Sequence, residues 1–582
     1  MDLLHLFRSF TPLRNPIGFG AADFLELAFA LLLGAFFLCR PWFTAFTTRF
    51  AHRAIPCMLL LALLPVALRL ALLSQSPVPT PAGADDFSYV LSGDTLAHLR
   101  LSNPPHPFPQ FFEAIFVLQQ PTYSSIFPLG QGIILALGAL LFGLPWAGVV
   151  LSVSALCALV YWMLRAWTTP TWALLGGLLA VVEFGPLSQW MNSYWGGAVS
   201  AVAGCLVFGS LPRLREAARP TCALLLGAGL GMQLLTRPFE FLLLFLSVGL
   251  VVVPVLKGLW KQQQLFRVVS FALCPLLAAA GLMLLQNKSV TGSWTTLPYM
   301  LSRYQYGVPA TFTLQPNPVP HRTLTPEQEL DYRAQSIIHG DGTDTLRTYV
   351  QRLFFRVRYY RFFFLPPLYL ALVAFCFTLR SRRALWTAAT PLIFALGTNF
   401  YPYFYPHYIA ALTPLFLLMS VTGLRKIHEL TIYGRPVGRD AAYLLATLCV
   451  APFLFWYTVH LSGSDTLSEV LDYETWHYIN YGDPEGRIAT NQQLSRAPGK
   501  QLVFVHYGPQ HRFHEWIHNA ANIDAARVVW VHDLGPAENQ KLIHYYPDRT
   551  VWLLEPDADP PTLQPYRARS PSSAGPFQSV NP

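Results

Sequence analysis

Charge is scarce in this sequence. Aspartate, glutamate, lysine and arginine make up only 12% of the 582 residues, against 53% hydrophobic ones, which excludes an ordinary water-soluble globule. Cysteine is present but never in a useful spacing. The eight, Cys39, Cys57, Cys157, Cys205, Cys222, Cys274, Cys376 and Cys449, lie in or at the edge of apolar runs without a CxxC pair. They read as small core hydrophobes and exclude a disulfide framework or a zinc ribbon. The alternation of a β-barrel is missing, because the apolar residues come in continuous blocks. A short apolar leader with a small-residue cleavage site is also missing from the N-terminus, so no cleaved signal peptide is expected. Despite a net charge of +9, there is no basic groove with interleaved stacking aromatics, which excludes nucleic acid as a partner. No internal repeat suggests a transporter built from inverted halves.

What the sequence has is apolar runs, with a mean hydropathy of +0.36. A span needs roughly 20 mainly apolar residues, and backbone inside lipid satisfies its own hydrogen bonds only as a helix or a closed barrel. The runs therefore predict a mainly α, polytopic membrane protein of about 12 spans: 21–39, 54–74, 146–164, 171–187, 194–211, 221–235, 238–256, 267–285, 364–379, 384–400, 406–423 and 441–461. The basic connectors are Arg40–Arg53, Arg165, Pro212–Arg219, Lys257–Arg267, Arg380–Arg383 and Arg425–Arg439. Placing all of them in the cytoplasm alternates the spans consistently. That orientation requires the apolar stretch 128–145 to stay on the outer side as an interfacial or partly embedded helix.

The spans divide the chain into a membrane part, 1–461, with outer loops 75–145 and 287–363, and a small outer α/β unit, 462–556. In that unit Gln501–His506, Ala526–His532 and Thr550–Leu554 read as strands, and Ala537–Tyr545 as a helix. Residues 557–582, rich in Pro and Ser, predict a disordered tail.

The residues fit for chemistry gather in the outer segments. Asp85 and Asp86 are adjacent carboxylates. Their mutual repulsion and partial desolvation raise the pKa of one of them, which suits a general base for a hydroxyl acceptor. The pair can also hold a divalent cation through oxygen ligands, and the plain alternative is a solvated turn. Arg237 lies at the outer junction of two spans, close in sequence to Glu240; intramembrane charge is costly and often functional. Arg352, Arg356, Arg358 and Arg361 lie in an outer loop, against the usual bias. They suit phosphate through forked hydrogen bonds, or belong to an amphipathic helix resting on anionic headgroups.

Two segments are rich in aromatics. Gln189–Gly197 carries Asn192, Tyr194 and Trp195, and Asn399–Tyr408 carries His407 and Tyr408. Both suit a sugar, and both also fit an interfacial aromatic belt. Glu183 reads as a cavity residue, Asp23 and Glu26 as interfacial. His506, His511, His514 and His518 cluster in the C-terminal unit without the ligand pattern of a zinc site.

The run Asp85-Asp86-Phe87-Ser88-Tyr89, then Asp94, then Leu99-Arg100-Leu101-Ser102-Asn103-Pro104 resembles the first outer loop of GT-C glycosyltransferases. Within them it is most similar to the family of protein O-mannosyltransferases and aminoarabinose lipid A transferases. The chain departs from that pattern in having Asp86 where Glu is usual and Leu99 where Gly is usual, which leaves open which carboxylate is the base. The resemblance implies an enzyme of the inner (cytoplasmic) membrane that moves a sugar from a polyprenyl-phosphate donor to a hydroxyl or amine on a lipid, glycan or protein at the outer face.

It implies Asp85 or Asp86 as catalytic base, with a divalent metal as the only cofactor to consider. Arg237, Arg352, Arg356 and Arg358 would neutralise the leaving phosphate. Tyr89, Asp94, Asn192, Tyr194, Trp195, Glu240, His407 and Tyr408 would line the substrate site. The alternatives are a transporter or flippase of a lipid-linked substrate, whose ionisable groups belong near the bilayer midplane, and a membrane-anchored scaffold whose C-terminal unit binds a partner.

Overall fold

The computed structural model describes residues 21–38, 48–81, 83–261, 263–340, 342, 344–462, 486–509, 511 and 515–567. Cys39, His514, the segment 463–485 and the chain beyond 567 lie outside the described residues, as do the side chains of Asp23 and Glu26. In chain order the α-helices of nine or more residues are α1 (Ala21–Leu38), α2 (Ala54–Ala71), α3 (Ala84–Ala97), α4 (Leu129–Phe142), α5 (Pro145–Leu164), α6 (Pro170–Phe184), α7 (Ala198–Glu216), α8 (Pro220–Thr236), α9 (Pro238–Lys261), α10 (Leu265–Thr291), α11 (Pro298–Tyr306), α12 (Pro326–His339), α13 (Leu346–Arg356), α14 (Leu368–Cys376), α15 (Arg382–Thr398), α16 (Thr413–His428), α17 (Val437–Ser462), α18 (Arg487–Arg496) and α19 (Pro536–Tyr545). Several begin on proline, Pro145, Pro170 and Pro220 among them. Proline at that position gives up an N–H the helix leaves unpaired anyway.

All twelve predicted apolar runs are helical over most of their length. Among the described residues, six helices are long and apolar enough to cross a membrane alone. A seventh counts if Leu346–Phe363 and Leu368–Cys376, bent at 114°, form one broken span. Length and composition therefore account for six or seven crossings, not twelve. The shorter apolar helices, α6 and α8 among them, pack into the same body.

The ends of this body are well defined. Arg69, in the last turn of α2, sits 4.8 Å over the Trp146 ring at the start of α5, and Trp146 Nε1 donates to the Met191 carbonyl at 2.7 Å. The chain thus leaves the body after α2 and re-enters it at α5 on one side, with α4 between them. Gln131 Nε2 of α4 reaches the same segment, donating to the Tyr194 carbonyl at 2.6 Å. Gly143, at φ +69°, ends α4 in the left-handed region that glycine adopts without strain. The basic connectors collect at the other end, where the Tyr161 hydroxyl donates to Ala51 O at 2.7 Å and Arg213 to Trp162 O at 2.7 Å.

The C-terminal unit is a four-stranded sheet in the order β4-β3-β5-β6. Its strands are β3 (Lys500–Val505), β4 (Val528–His532), β5 (Arg549–Glu555) and β6 (Thr562–Pro565); β1 (Val117–Leu118) and β2 (Ser124–Ser125) form a small hairpin in the first long loop. β3 is central and parallel to β4 and β5, in the register Leu502 opposite Val529 and Val551. Its near-continuous apolar run fits a strand covered on both faces. One face packs Val503, Val505 and Trp530 against Leu494 and Trp516. The other packs Leu502, Phe504 and Val531 against Leu91, Phe111, Phe112 and Tyr123. The unit and the 84–127 loop therefore share one core. The predicted tail begins too early, since β6 pairs antiparallel with β5 and the Tyr566 ring lies 5.1 Å from Phe504.

Candidate functional site

The acidic pair opens α3, with Gly83 as an extended N-cap and Asp85 and Asp86 in the first turn. Unpaired N–H groups and the helix dipole favour carboxylates there. The solvated-turn alternative fails for Asp86, which is only 5% exposed and accepts the Tyr194 N–H on Oδ1 at 2.8 Å. The segment carrying Tyr194 is itself fixed. The Tyr194 hydroxyl donates to Pro79 O at 2.8 Å. Asn192 donates to Pro186 O and Ser188 O, at 2.9 and 2.8 Å, and accepts from Arg69 Nε at 2.8 Å. Arg69 also donates to Ser76 O and Pro77 O, at 2.8 and 2.9 Å. Asn192 and Tyr194, expected to touch substrate, instead hold the frame around Asp86.

Asp85 is different. It is partly exposed, and among the described residues no hydrogen-bond donor other than its own backbone reaches its carboxylate. Burial first, then the charge of Asp86, push its carboxyl up to about 7, against the pull of the Arg237 guanidinium. Arg237 stands between α8 and α9 with its guanidinium 4.4 Å over the Tyr408 ring. Among the described residues that guanidinium donates no hydrogen bond to protein. Glu240 is buried one turn further along α9. Tyr89, buried on α3, stacks on Phe127 at 4.4 Å and feels the charges of Arg237, Asp85 and Glu240. Close approach makes this meeting possible, since a Cβ on Gly130 would come within 2.3 Å of Thr236 Oγ1, the neighbour of Arg237. Asp85, Tyr89, Arg237, Glu240 and Tyr408 thus come together at one end of the helical body.

Beside them Trp195 packs against His407 at 4.9 Å and Tyr405 at 5.7 Å. These three line a narrow cleft with Gln189, Trp190 and Ser193.

Other expected residues lie elsewhere. Arg352 pairs with Asp344 at 2.5 Å and donates to Asn399 O at 2.9 Å. Arg356 is buried and caps the carbonyls of Thr398, Tyr401 and Pro402. Arg352 is thus engaged by Asp344 and Asn399 O, and Arg356 by the 398–402 carbonyls. Arg358 lies over the Phe355 ring at 3.4 Å. Asp94 accepts the Ala521 N–H at 2.6 Å, a tie to the C-terminal unit. Glu183 is buried near the end of α6.

Asp85 and Asp86 make a poor metal site, because one oxygen of Asp86 is committed to Tyr194 and the cation nearest in charge to Asp85 is Arg237. Among the described residues no three His, Cys, Asp or Glu side chains are grouped to hold a metal ion. His506 pairs with Asp533 at 2.9 Å and His511 with Asp557 at 2.7 Å, while the His518 ring stacks on Phe87 at 4.1 Å.

No family model and no curated protein matches the chain. Among solved structures it is similar to ArnT from Cupriavidus metallidurans in the apo state, with 14% identity and a TM-score of 0.48 over 85% of this chain and 92% of that one. The same figures hold for that protein bound to undecaprenyl phosphate. The oligosaccharyltransferase of Archaeoglobus fulgidus in the apo form is similar at 12% identity and a TM-score of 0.41, over 86% of this chain and 69% of that one. These likenesses are too distant to transfer the role of any residue.

Three residues near the site escape sequence reasoning. Arg69 has a signal, a lone arginine in an apolar run. Asp331, which burial pushes up to about 6, and Glu515, pushed up to about 8 by burial and by the charge of Glu327, have none. They come near by folding alone.

Proposed function

We propose that this protein is a membrane glycosyltransferase of the GT-C type. In this reading it moves a sugar from a polyprenyl-phosphate donor to a hydroxyl or amine acceptor at the extracytoplasmic face. The observation that carries it is a carboxylate poised near neutrality, Asp85, within the field of the Arg237 guanidinium, which among the described residues donates no hydrogen bond to protein. A base with a pKa near the working pH combines the correct protonation state with useful driving force. Asp85 takes the acceptor proton as the acceptor oxygen or nitrogen attacks the anomeric carbon. The bond from that carbon to the phosphate oxygen breaks, and its electron pair leaves on the lipid phosphate. Arg237, stacked on Tyr408, meets that charge with forked hydrogen bonds. Asp86, Tyr194, Asn192 and Arg69 hold the base in place. The aromatic cleft of Trp195, Tyr405 and His407 suits the face of a sugar ring.

The test is transfer of label from radiolabelled polyprenyl-phosphate sugars to lipid or protein in membranes carrying the wild type or Asp85→Asn. Transfer by the wild type alone supports the reading. Equal transfer by both removes Asp85 from the chemistry.

A further inference from the structure

We infer that α13 is a membrane-inserted arm, whose Leu346–Val350–Phe354 stripe occupies the boundary between headgroups and acyl chains on the Asp85 side of the bilayer. The helix exposes an apolar stripe flanked by polar side chains while its other side is bonded to the protein. Three of its polar side chains turn to the protein, while Arg347, Thr348 and Gln351 stay exposed: Arg352 reaches Asp344 and Asn399 O, Arg356 the 398–402 carbonyls, and the Tyr349 hydroxyl Leu396 O at 2.6 Å. Its apolar side chains face away, with Leu346 80% and Phe354 68% exposed and Val350 between them at helical spacing. The end of α12 adds Ile337, 81% exposed, and Ile338. Exposed large apolar side chains in a stripe of this kind mark a surface that something apolar covers.

Two observations identify lipid as the occupant. The patch is continuous with side chains that lipid already covers if the apolar helices span, because Tyr349 is bonded to α15, whose Leu392 and Leu396 are exposed, and Phe312 packs on Phe239 of α9 at 5.1 Å. The segment Leu346–Phe363 is also bent at 114° to α14, so it lies across the direction of the apolar helix that follows. That is the posture of an interfacial helix. Arg347, exposed at the edge of the stripe, suits anionic headgroups. Through Arg352 and Arg356 the arm holds the turn that leads to Tyr408 beneath Arg237. The inference does not depend on the transfer chemistry.

The test is nitroxide accessibility in the full chain in nanodiscs of zwitterionic and anionic phospholipid. Cys39, Cys274 and Cys376 are replaced by Ala, and single labels are placed at Leu346→Cys, at Phe354→Cys and, as the aqueous control, at Gln492→Cys. The expected result is a ratio of oxygen to nickel-chelate collision roughly tenfold higher at 346 and 354 than at 492, as for a side chain sunk in the acyl boundary. Ratios equal to the control overturn the inference. Shielding from both reagents also overturns it, because that is the signature of a protein partner. Both arm positions are exposed, so the substitutions leave packing intact and one label checks the other.

Discussion

The backbone N–H of Tyr194 lies 2.8 Å from Oδ1 of Asp86, and this contact separates the roles of two adjacent carboxylates. Asp86 is spent on holding the 189–194 segment against α3. Asp85, one position earlier, has no such bond and faces the Arg237 cluster.

Replacing Asp85 by Asn should therefore lower transfer by about 10²–10⁴-fold, the usual worth of a positioned base, with an unchanged unfolding temperature. Asp86→Asn should be milder in rate, since an amide oxygen still accepts the Tyr194 N–H. Rates measured beside thermal unfolding of both variants check this. An Asp86→Asn enzyme as inactive as Asp85→Asn would reverse the assignment.

The pH dependence follows from the same site. A base works ionised, and the Asp85 carboxyl is pushed up to about 7, so transfer should rise with pH through that value. Removing the neighbouring negative charge with Asp86→Asn should move the midpoint towards acid. Removing the attracting positive charge with Arg237→Gln should move it towards alkali. Opposite displacements in the two pH–rate profiles are the required outcome.

Arg237 should govern the donor more than the acceptor. With its guanidinium unbonded among the described residues and stacked on Tyr408, Arg237→Ala should raise the donor KM by roughly tenfold or more, the worth of a charge-assisted bidentate contact. Arg237→Lys should recover only part of it, because a single ammonium lacks the fork. A variant that changes only the acceptor KM would contradict this.

Much of this was legible in the sequence, and the failures share a cause. Apolar runs fix helices because lipid leaves the backbone no other partner, so the twelve segments and the strands from Lys500 to Glu555 were found within a few residues. Side-chain engagement was not legible. Arg352 and Arg356 look like Arg237 in a string of letters. Only the fold shows that the first two cap a turn while the third does not. Asp94 likewise reads as part of an acidic motif until Ala521, more than 400 positions on, claims its oxygen.

That distinction makes a stability prediction. Arg356 is buried against three backbone carbonyls, and leaving such acceptors unpaired costs about 1–3 kcal/mol for each group. Arg356→Leu should lower the unfolding temperature and abolish protection of the 398–402 turn, whereas Arg347→Ala, at an exposed position of the same helix, should do neither. Thermal unfolding and hydrogen exchange of the two variants, compared side by side, separate a structural arginine from a surface one.

The C-terminal unit supplies the last prediction. Phe87, next to the acidic pair, lies between the His518 ring at 4.1 Å and the Arg487 guanidinium at 4.8 Å, and the Tyr123 hydroxyl donates to Asn519 O at 3.0 Å close by. Burial pushes His518 down to about 3, so its ring is neutral near pH 7 and stacks without adding charge beside Asp85. Phe87→Ala removes the ring both partners rest on, at a cost of about 3–5 kcal/mol for a buried aromatic. Exchange should then quicken at 515–521 while β3, β4 and β5, whose ladder does not involve Phe87, keep their protection. Transfer should fall in the same variant, because Phe87 is covalently next to Asp86. Loss of protection across the whole sheet would mean that the unit does not hold itself together once undocked.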